Sequence, residues 1–154
     1  MSRPENSRNS AWAEAWFSPH DDCAGRIINL LGEARQSADL CVFTITDDRI
    51  SDAILSAHAR GVRLRIISDN DKAHDLGSDI ERFESAGIAV RVDRSAFHMH
   101  HKFAIIDGRR LLNGSYNWTR GAARDNQENL IVCDDARLVA AFQQEFEQLW
   151  VRYG

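Results

Sequence analysis

The order of apolar patterns along this chain predicts an α/β fold, a mixed parallel/antiparallel sheet with helices on both faces. Three observations carry that expectation. In the first half, β-branched runs alternate with segments of helical period, the arrangement of parallel strands joined by crossover helices. In the second half, strand-like runs follow one another across short turns, which favours antiparallel pairing. A long amphipathic helix then closes the sequence.

The elements follow in order. Residues 1–10 are polar and read as a flexible leader, leaving 11–154 as one domain. Residues 11–18 alternate large and small side chains around Trp12, Trp16 and Phe17 and stop at Pro19, as a short strand does. Asp21 and Asp22 cap a helix whose apolar face is Ile27, Ile28, Leu30 and Leu31, running to about residue 37. Residues 39–46 form a strand rich in β-branched and aromatic side chains. Residues 49–60 carry Ile50, Ala53, Ile54 and Ala57 at helical spacing and end at Gly61. Residues 62–68 alternate Val62, Leu64 and Ile66 with Arg63 and Arg65, another strand. A helix over 78–86 closes at Gly87, and strands are expected over 88–92, 98–107, 109–112 and 130–133. Asp107-Gly108 supplies the hairpin turn. In the last helix, 135–153, Leu138, Phe142, Phe146, Leu149 and Trp150 face inward.

The chain has 154 residues, 44% of them hydrophobic and 27% charged, with two prolines and nine glycines. That composition excludes a disordered, collagen-like or disulfide-scaffold protein. No apolar run approaches the ~20 residues of a membrane span, and residues 1–10 lack the apolar stretch of a secretory signal. The expectation is therefore a cytoplasmic protein without a transmembrane anchor. Cys23, Cys41 and Cys133 are odd in number and show no metal-ligand spacing, so they read as free thiols in a reducing compartment. With a formal charge of −4, the chain is no generic polyanion binder. Any phosphate must meet a local basic patch.

The chemistry concentrates between residues 98 and 129. On a strand, His100 and Lys102 point to one face together with His98. Met99, His101, Phe103 and Ile105 point to the other, which reads as core. Asp107 follows, and then Gly114-Ser115-Tyr116-Asn117, where the glycine permits a tight bend. The string is HxK, four residues, D, six residues, GSxN. An imidazole, an ammonium, a hydroxyl and a carboxamide together make a phosphate site. Lys102 supplies charge, Ser115 and Asn117 donate hydrogen bonds, and His100 can act as nucleophile near neutral pH. A metal site is the alternative for a histidine-rich strand. It is disfavoured because no nearby Cys or well-spaced carboxylate completes a tetrahedral shell, so neither metal nor cofactor is expected.

His100, Lys102, Asp107, Gly114, Ser115 and Asn117 resemble the HKD signature of the phospholipase D superfamily without a departure in spacing. The likeness extends to Asn126-Gln127-Glu128-Asn129 and covers roughly residues 24–150. It is closest to the short, single-motif branch, which includes small bacterial endonucleases and the mitochondrial cardiolipin hydrolase/Zucchini proteins. The resemblance implies catalytic roles for His100 and Lys102. It also assigns Glu128 a carboxylate that orients the catalytic histidine, and makes Asp107 part of the motif in a structural place. In-line displacement at phosphorus needs a group on each side, yet the chain holds one HxK. The implied solution is a homodimer with two His100 side chains facing across the axis.

The motif does not name the leaving group. Trp118, Arg120 and Arg124 follow the phosphate loop directly, a combination suited to single-stranded nucleic acid. A nuclease-type phosphodiesterase is thus favoured. Phospholipid hydrolysis is the alternative, and a catalytically inactive nucleic-acid-binding dimer the third reading.

Overall fold

A computed structural model describes residues 11–69 and 79–154. The expected leader, residues 1–10, lies outside them. Seven strands are joined in one sheet: β1 (Ala13–Ser18), β2 (Ser37–Val42), β3 (Arg63–Asp69), β4 (Ala89–Asp93), β5 (Lys102–Ile106), β6 (Arg110–Gly114) and β7 (Glu128–Cys133). Their spatial order is β1-β7-β6-β5-β2-β3-β4. β2, β3 and β4 run parallel, whereas β5 pairs antiparallel with β2 and the β5-β6-β7-β1 ladder stays antiparallel. The switch from alternating to consecutive strands in the sequence is this switch in pairing.

Five described helices cover the sheet: α1 (Cys23–Glu33), α2 (Asp48–Ala59), α3 (Ile80–Ser85), α4 (Arg120–Arg124) and α5 (Ala136–Arg152). The Asp22 and Asp47 carboxylates cap α1 and α2 by accepting from Gly25 N and Arg49 N. Ile27, Leu31, Ile54 and Phe83 pack on one face of the sheet against Leu40, Ile66, Ala104 and Val132. Val139, Phe146 and Leu149 of α5 cover the other face against Cys41, Ile67, Phe103 and Ile105. Neighbouring residues such as Ile66 and Ile67 enter opposite cores, as a strand period of two requires. All three cysteines are free and buried.

Several expectations need correction. The strand expected over 98–107 begins only at Lys102, because side chains occupy the preceding backbone: Asp69 Oδ2 accepts from Met99 N at 2.8 Å. The strand expected over 39–46 ends at Val42, after which the Phe43, Thr46 and Asp47 amides turn to His101 and Trp118 carbonyls. His101 is not in the core. Its side chain is 47% exposed, edge-on to Phe103 and 3.8 Å from Glu145. On α5 the inward position is Val139, and Leu138 is exposed. The short helix α4 was not anticipated, although its N-cap, Thr119, accepting from Ala122 N, is a recognisable signal.

The β5–β6 hairpin turns as expected. Asp107 (φ 55°) and Gly108 (φ 64°) both take positive φ, the conformation of a two-residue hairpin turn.

The strand directions gather chemistry at one end of the sheet. β1, β2, β3, β4 and β6 finish there, at Ser18, Val42, Asp69, Asp93 and Gly114, and β5 and β7 begin there, at Lys102 and Glu128. The candidate site lies on this rim.

Candidate active site

Lys102 is the first residue of β5, paired with Val42. The alternation that sends Phe103 and Ile105 under α5 sends Lys102 to the opposite side, where it is only 7% exposed. A buried ammonium requires acceptors. Its Nζ lies 2.7 Å from the His100 carbonyl oxygen and 2.8 Å from His100 Nδ1. Lysine has no lone pair to offer when charged, so the imidazole nitrogen facing it accepts. The Phe43 ring packs beneath both groups, 4.7 Å from the His100 ring centroid, with Nζ 5.4 Å from its own.

These contacts shift both groups. His100 is held below the ordinary imidazole value, by desolvation first and then by the neighbouring Lys102 charge. Burial likewise lowers Lys102, while the Glu128 carboxylate opposes that shift. The lowered value favours the neutral form of His100, whose side chain is exposed at the rim.

The second half of the site is built where β6 and β7 meet. Gly114 opposes Leu130, and a Cβ at Gly114 would lie 2.1 Å from the Asn129 carbonyl oxygen, so only glycine fits. Ser115 follows immediately. Its Oγ donates to Glu128 Oε1 at 2.8 Å and accepts from Asn129 N at 3.1 Å. Asn126 Nδ2 donates to Glu128 Oε2 at 3.4 Å. Asn117 is half-buried, and its Oδ1 is buried without a hydrogen-bond partner among the described residues. The atom of this side chain that can donate to a phosphate oxygen is Nδ2.

The other sequence-predicted residues sit as follows. Asp107 occupies the far end of β5 from His100, where its carboxylate accepts from the backbone amides of Arg35, Gln36 and Ser37 at 2.7–3.1 Å. Its work is to tie the hairpin to the start of β2. Glu128 makes no hydrogen bond to His100 of its own chain; it reaches Ser115 instead and acts on Lys102 by charge. Trp118 is fully buried, with its backbone bonded to Thr44, Thr46 and Asp47, and is no groove residue. Arg120 is half-exposed and 3.9 Å from Asp47, and Arg124 is exposed on α4.

Two residues escaped the sequence reading. Phe43 forms the floor under His100 and Lys102. Asp69, wholly buried at the end of β3, accepts from Met99 N and lies 3.5 Å from His98 Nδ1, which fixes the segment leading into His100. Its position at the end of a parallel strand beside the switch in strand direction was the available signal. Among the described residues no group of three or more His, Cys, Asp or Glu side chains is arranged to hold a metal ion. The arrangement offers a neutral imidazole, a buried cation beside it, and hydroxyl and amide donors on the adjoining loop.

Comparison with known proteins agrees with this geometry. A family profile described as the PLD-like domain of cardiolipin synthase matches residues 27–150. A mitochondrial cardiolipin hydrolase of Chlamydomonas reinhardtii is 62% identical over 125 residues, which is 81% of this chain and 56% of that protein. The human protein of the same name is 41% identical over 137 residues, 88% of this chain and 54% of that protein. The chain thus spans little more than half the length of these curated relatives. Among solved structures, a phospholipase D family member, Nuc from Salmonella typhimurium, superposes with a TM-score of 0.85 at 25% identity, covering 92% of this chain and 95% of that one. NucT from Helicobacter pylori has the same fold, with a TM-score of 0.83.

Proposed function

This chain belongs to the phospholipase D superfamily of phosphodiester hydrolases, and on that premise we propose that it is a metal-independent phosphodiesterase working through a phosphohistidine at a homodimer interface. The observation that carries the reading is the His100 ring braced by the buried Lys102 ammonium at 2.8 Å, at the open rim of the sheet. One imidazole cannot stand on both sides of a phosphorus atom. Two copies related by a two-fold axis supply the pair.

His100 of one copy attacks phosphorus, forming an N–P bond while the P–O bond to the leaving group breaks. The second copy's His100, on which the bound phosphate's negative charge favours a proton, gives that proton to the leaving oxygen. The second imidazole, now neutral, takes a proton from water. The resulting oxygen nucleophile attacks the phosphohistidine, releasing the phosphate product and restoring His100. Lys102 of each copy offsets the charge that builds on the non-bridging oxygens, Asn117 Nδ2 donates to them, and Ser115 does so when its one hydroxyl proton turns from the Glu128 carboxylate to the phosphate. Glu128 holds Ser115 in place.

Single-stranded nucleic acid is the substrate we favour. The rim beside His100 carries the exposed Phe97 and the exposed Arg94, suited to bases and backbone charge. The chain also matches nearly the whole length of Nuc. Hydrolysis of cardiolipin is the second reading, favoured by the relatives of that name at up to 62% identity. No helix among the described residues is long and apolar enough to cross a membrane. The mitochondrial names of the relatives lend the expected cytoplasmic location no support.

The purified protein is expected to hydrolyse bis-p-nitrophenyl phosphate undiminished in EDTA. Cleavage of a single-stranded oligonucleotide is then compared with release of phosphatidic acid from cardiolipin liposomes. Turnover of the oligonucleotide supports the favoured reading. Turnover of the lipid alone replaces it with the second.

A further inference from the structure

A groove runs from His100 along the rim to the end of α5. Its inner part, a cavity of about 380 Å³, is lined by His98, His100, His101, Leu149 and Tyr153 among others. Its outer part, about 540 Å³, shares His98 and Tyr153 with the first and extends to Arg94, Phe97 and Arg152. Because the two share His98 and Tyr153 they adjoin, so a substrate held at His100 can extend past His98 in that direction.

Three features of the outer part ask for a ligand. Phe97 is 81% exposed, the most exposed large hydrophobic side chain among the described residues. It is displayed by a pinned turn: Ser95 N donates to Asp93 Oδ1 at 2.8 Å, and Phe97 N donates to Ser95 Oγ at 3.3 Å. Arg94 and Arg152 are exposed, and among the described residues neither is in an ion pair. Arg26, Arg49, Arg65 and Arg110, by contrast, are each bound to a carboxylate. Asp93, the carboxylate in this wall, is buried and engaged by Ser95. Phe97 stands three residues before His100, at most about 10 Å of extended backbone.

We propose that this groove is the subsite for the nucleotide adjoining the scissile phosphate, with its base stacked on Phe97 and its phosphate held by Arg94 and Arg152. The proposal rests on the nucleic-acid reading of the His100 site and gives it a direction: the strand leaves the reacting phosphate past His98 toward the end of α5. Stacking on an aromatic face accepts any base, so the subsite confers strand preference without sequence preference.

The test measures kcat/KM for wild type, Phe97→Ala and Arg94→Gln/Arg152→Gln on a single-stranded oligonucleotide, on bis-p-nitrophenyl phosphate, which has no adjoining nucleotide, and on cardiolipin liposomes. Each variant should lose about tenfold or more on the oligonucleotide beyond any loss on the small diester, mainly in KM. The double variant should also lower the slope of log affinity against log salt by about 0.7, the share of one phosphate on a single strand. Equal losses on the oligonucleotide and the small diester overturn the subsite while leaving the nuclease reading intact. A loss confined to cardiolipin overturns it in favour of a lipid headgroup site. A wild-type protein that turns over the small diester and never the oligonucleotide overturns the nucleic-acid reading, and the subsite with it.

Discussion

The Lys102 ammonium lies 2.8 Å from Nδ1 of His100 and 2.7 Å from the same residue's carbonyl oxygen. One buried cation therefore fixes both the ring and the backbone of the residue proposed as nucleophile. The pairing has an electrostatic consequence, because the cation disfavours a second positive charge on the ring and keeps its lone pair available.

Removing the nucleophile tests this directly. His100→Ala should lower turnover of bis-p-nitrophenyl phosphate by about 10⁴-fold or more. The side chain is exposed, so thermal unfolding should stay close to that of wild type.

Lys102→Met separates catalysis from folding. Loss of the charge facing the developing oxyanion should cost about 10²–10³-fold in kcat. Because the ammonium is 7% exposed, an apolar chain of similar length relieves its desolvation, and Tm should not fall. A lower Tm with unchanged kcat would assign Lys102 to structure alone.

The pH dependence follows from the two shifts. His100 has its pKa lowered from 6.5, so the neutral, nucleophilic form persists below that pH and the acidic limb of single-turnover phosphohistidine formation should fall below 6.5. The Glu128 carboxylate favours the charged form of Lys102. On bis-p-nitrophenyl phosphate, whose nitrophenolate leaves without a proton from the second imidazole, Glu128→Gln should consequently lower the Lys102 pKa further and move the alkaline limb set by Lys102 to lower pH. An alkaline limb that stays in place would break the link between these residues.

Asp107 predicts a stability effect instead. Its carboxylate accepts from three consecutive backbone amides, and Asp107→Ala leaves them without that partner in a residue held at φ 55°. The loss should be about 1–3 kcal/mol in urea denaturation, with kcat of the folded protein changed less than tenfold. Burial alone would raise the Asp107 pKa, but these amides, with the Arg109 charge, outweigh it and hold it below 3.8. Its stabilisation is therefore present above that pH and lost as pH falls through the lowered folded value.

Much of this was legible in the sequence because the determinants are local. The HxK and GSxN spacings, the Asp107-Gly108 turn and the capping aspartates act within a few residues of themselves. The misreadings arise where distant chain segments decide. Trp118 reads as a surface aromatic beside arginines, yet its backbone is stitched to residues 44–47 and its ring is buried between elements far apart in sequence. The run from His98 alternates like a strand, yet Asp69 and Lys102 take its backbone groups before a neighbouring strand can. Phe43 has no motif, and its place under His100 depends on where β2 ends beside β5.

The central claim is that one phosphate needs His100 from two copies. A covalently tandem dimer in which one half carries His100→Ala tests it most directly, with the two-wild-type tandem as reference. A shared site predicts that the mixed tandem loses essentially all turnover of bis-p-nitrophenyl phosphate. Retention of half the reference activity would show that each copy works alone and would contradict the account.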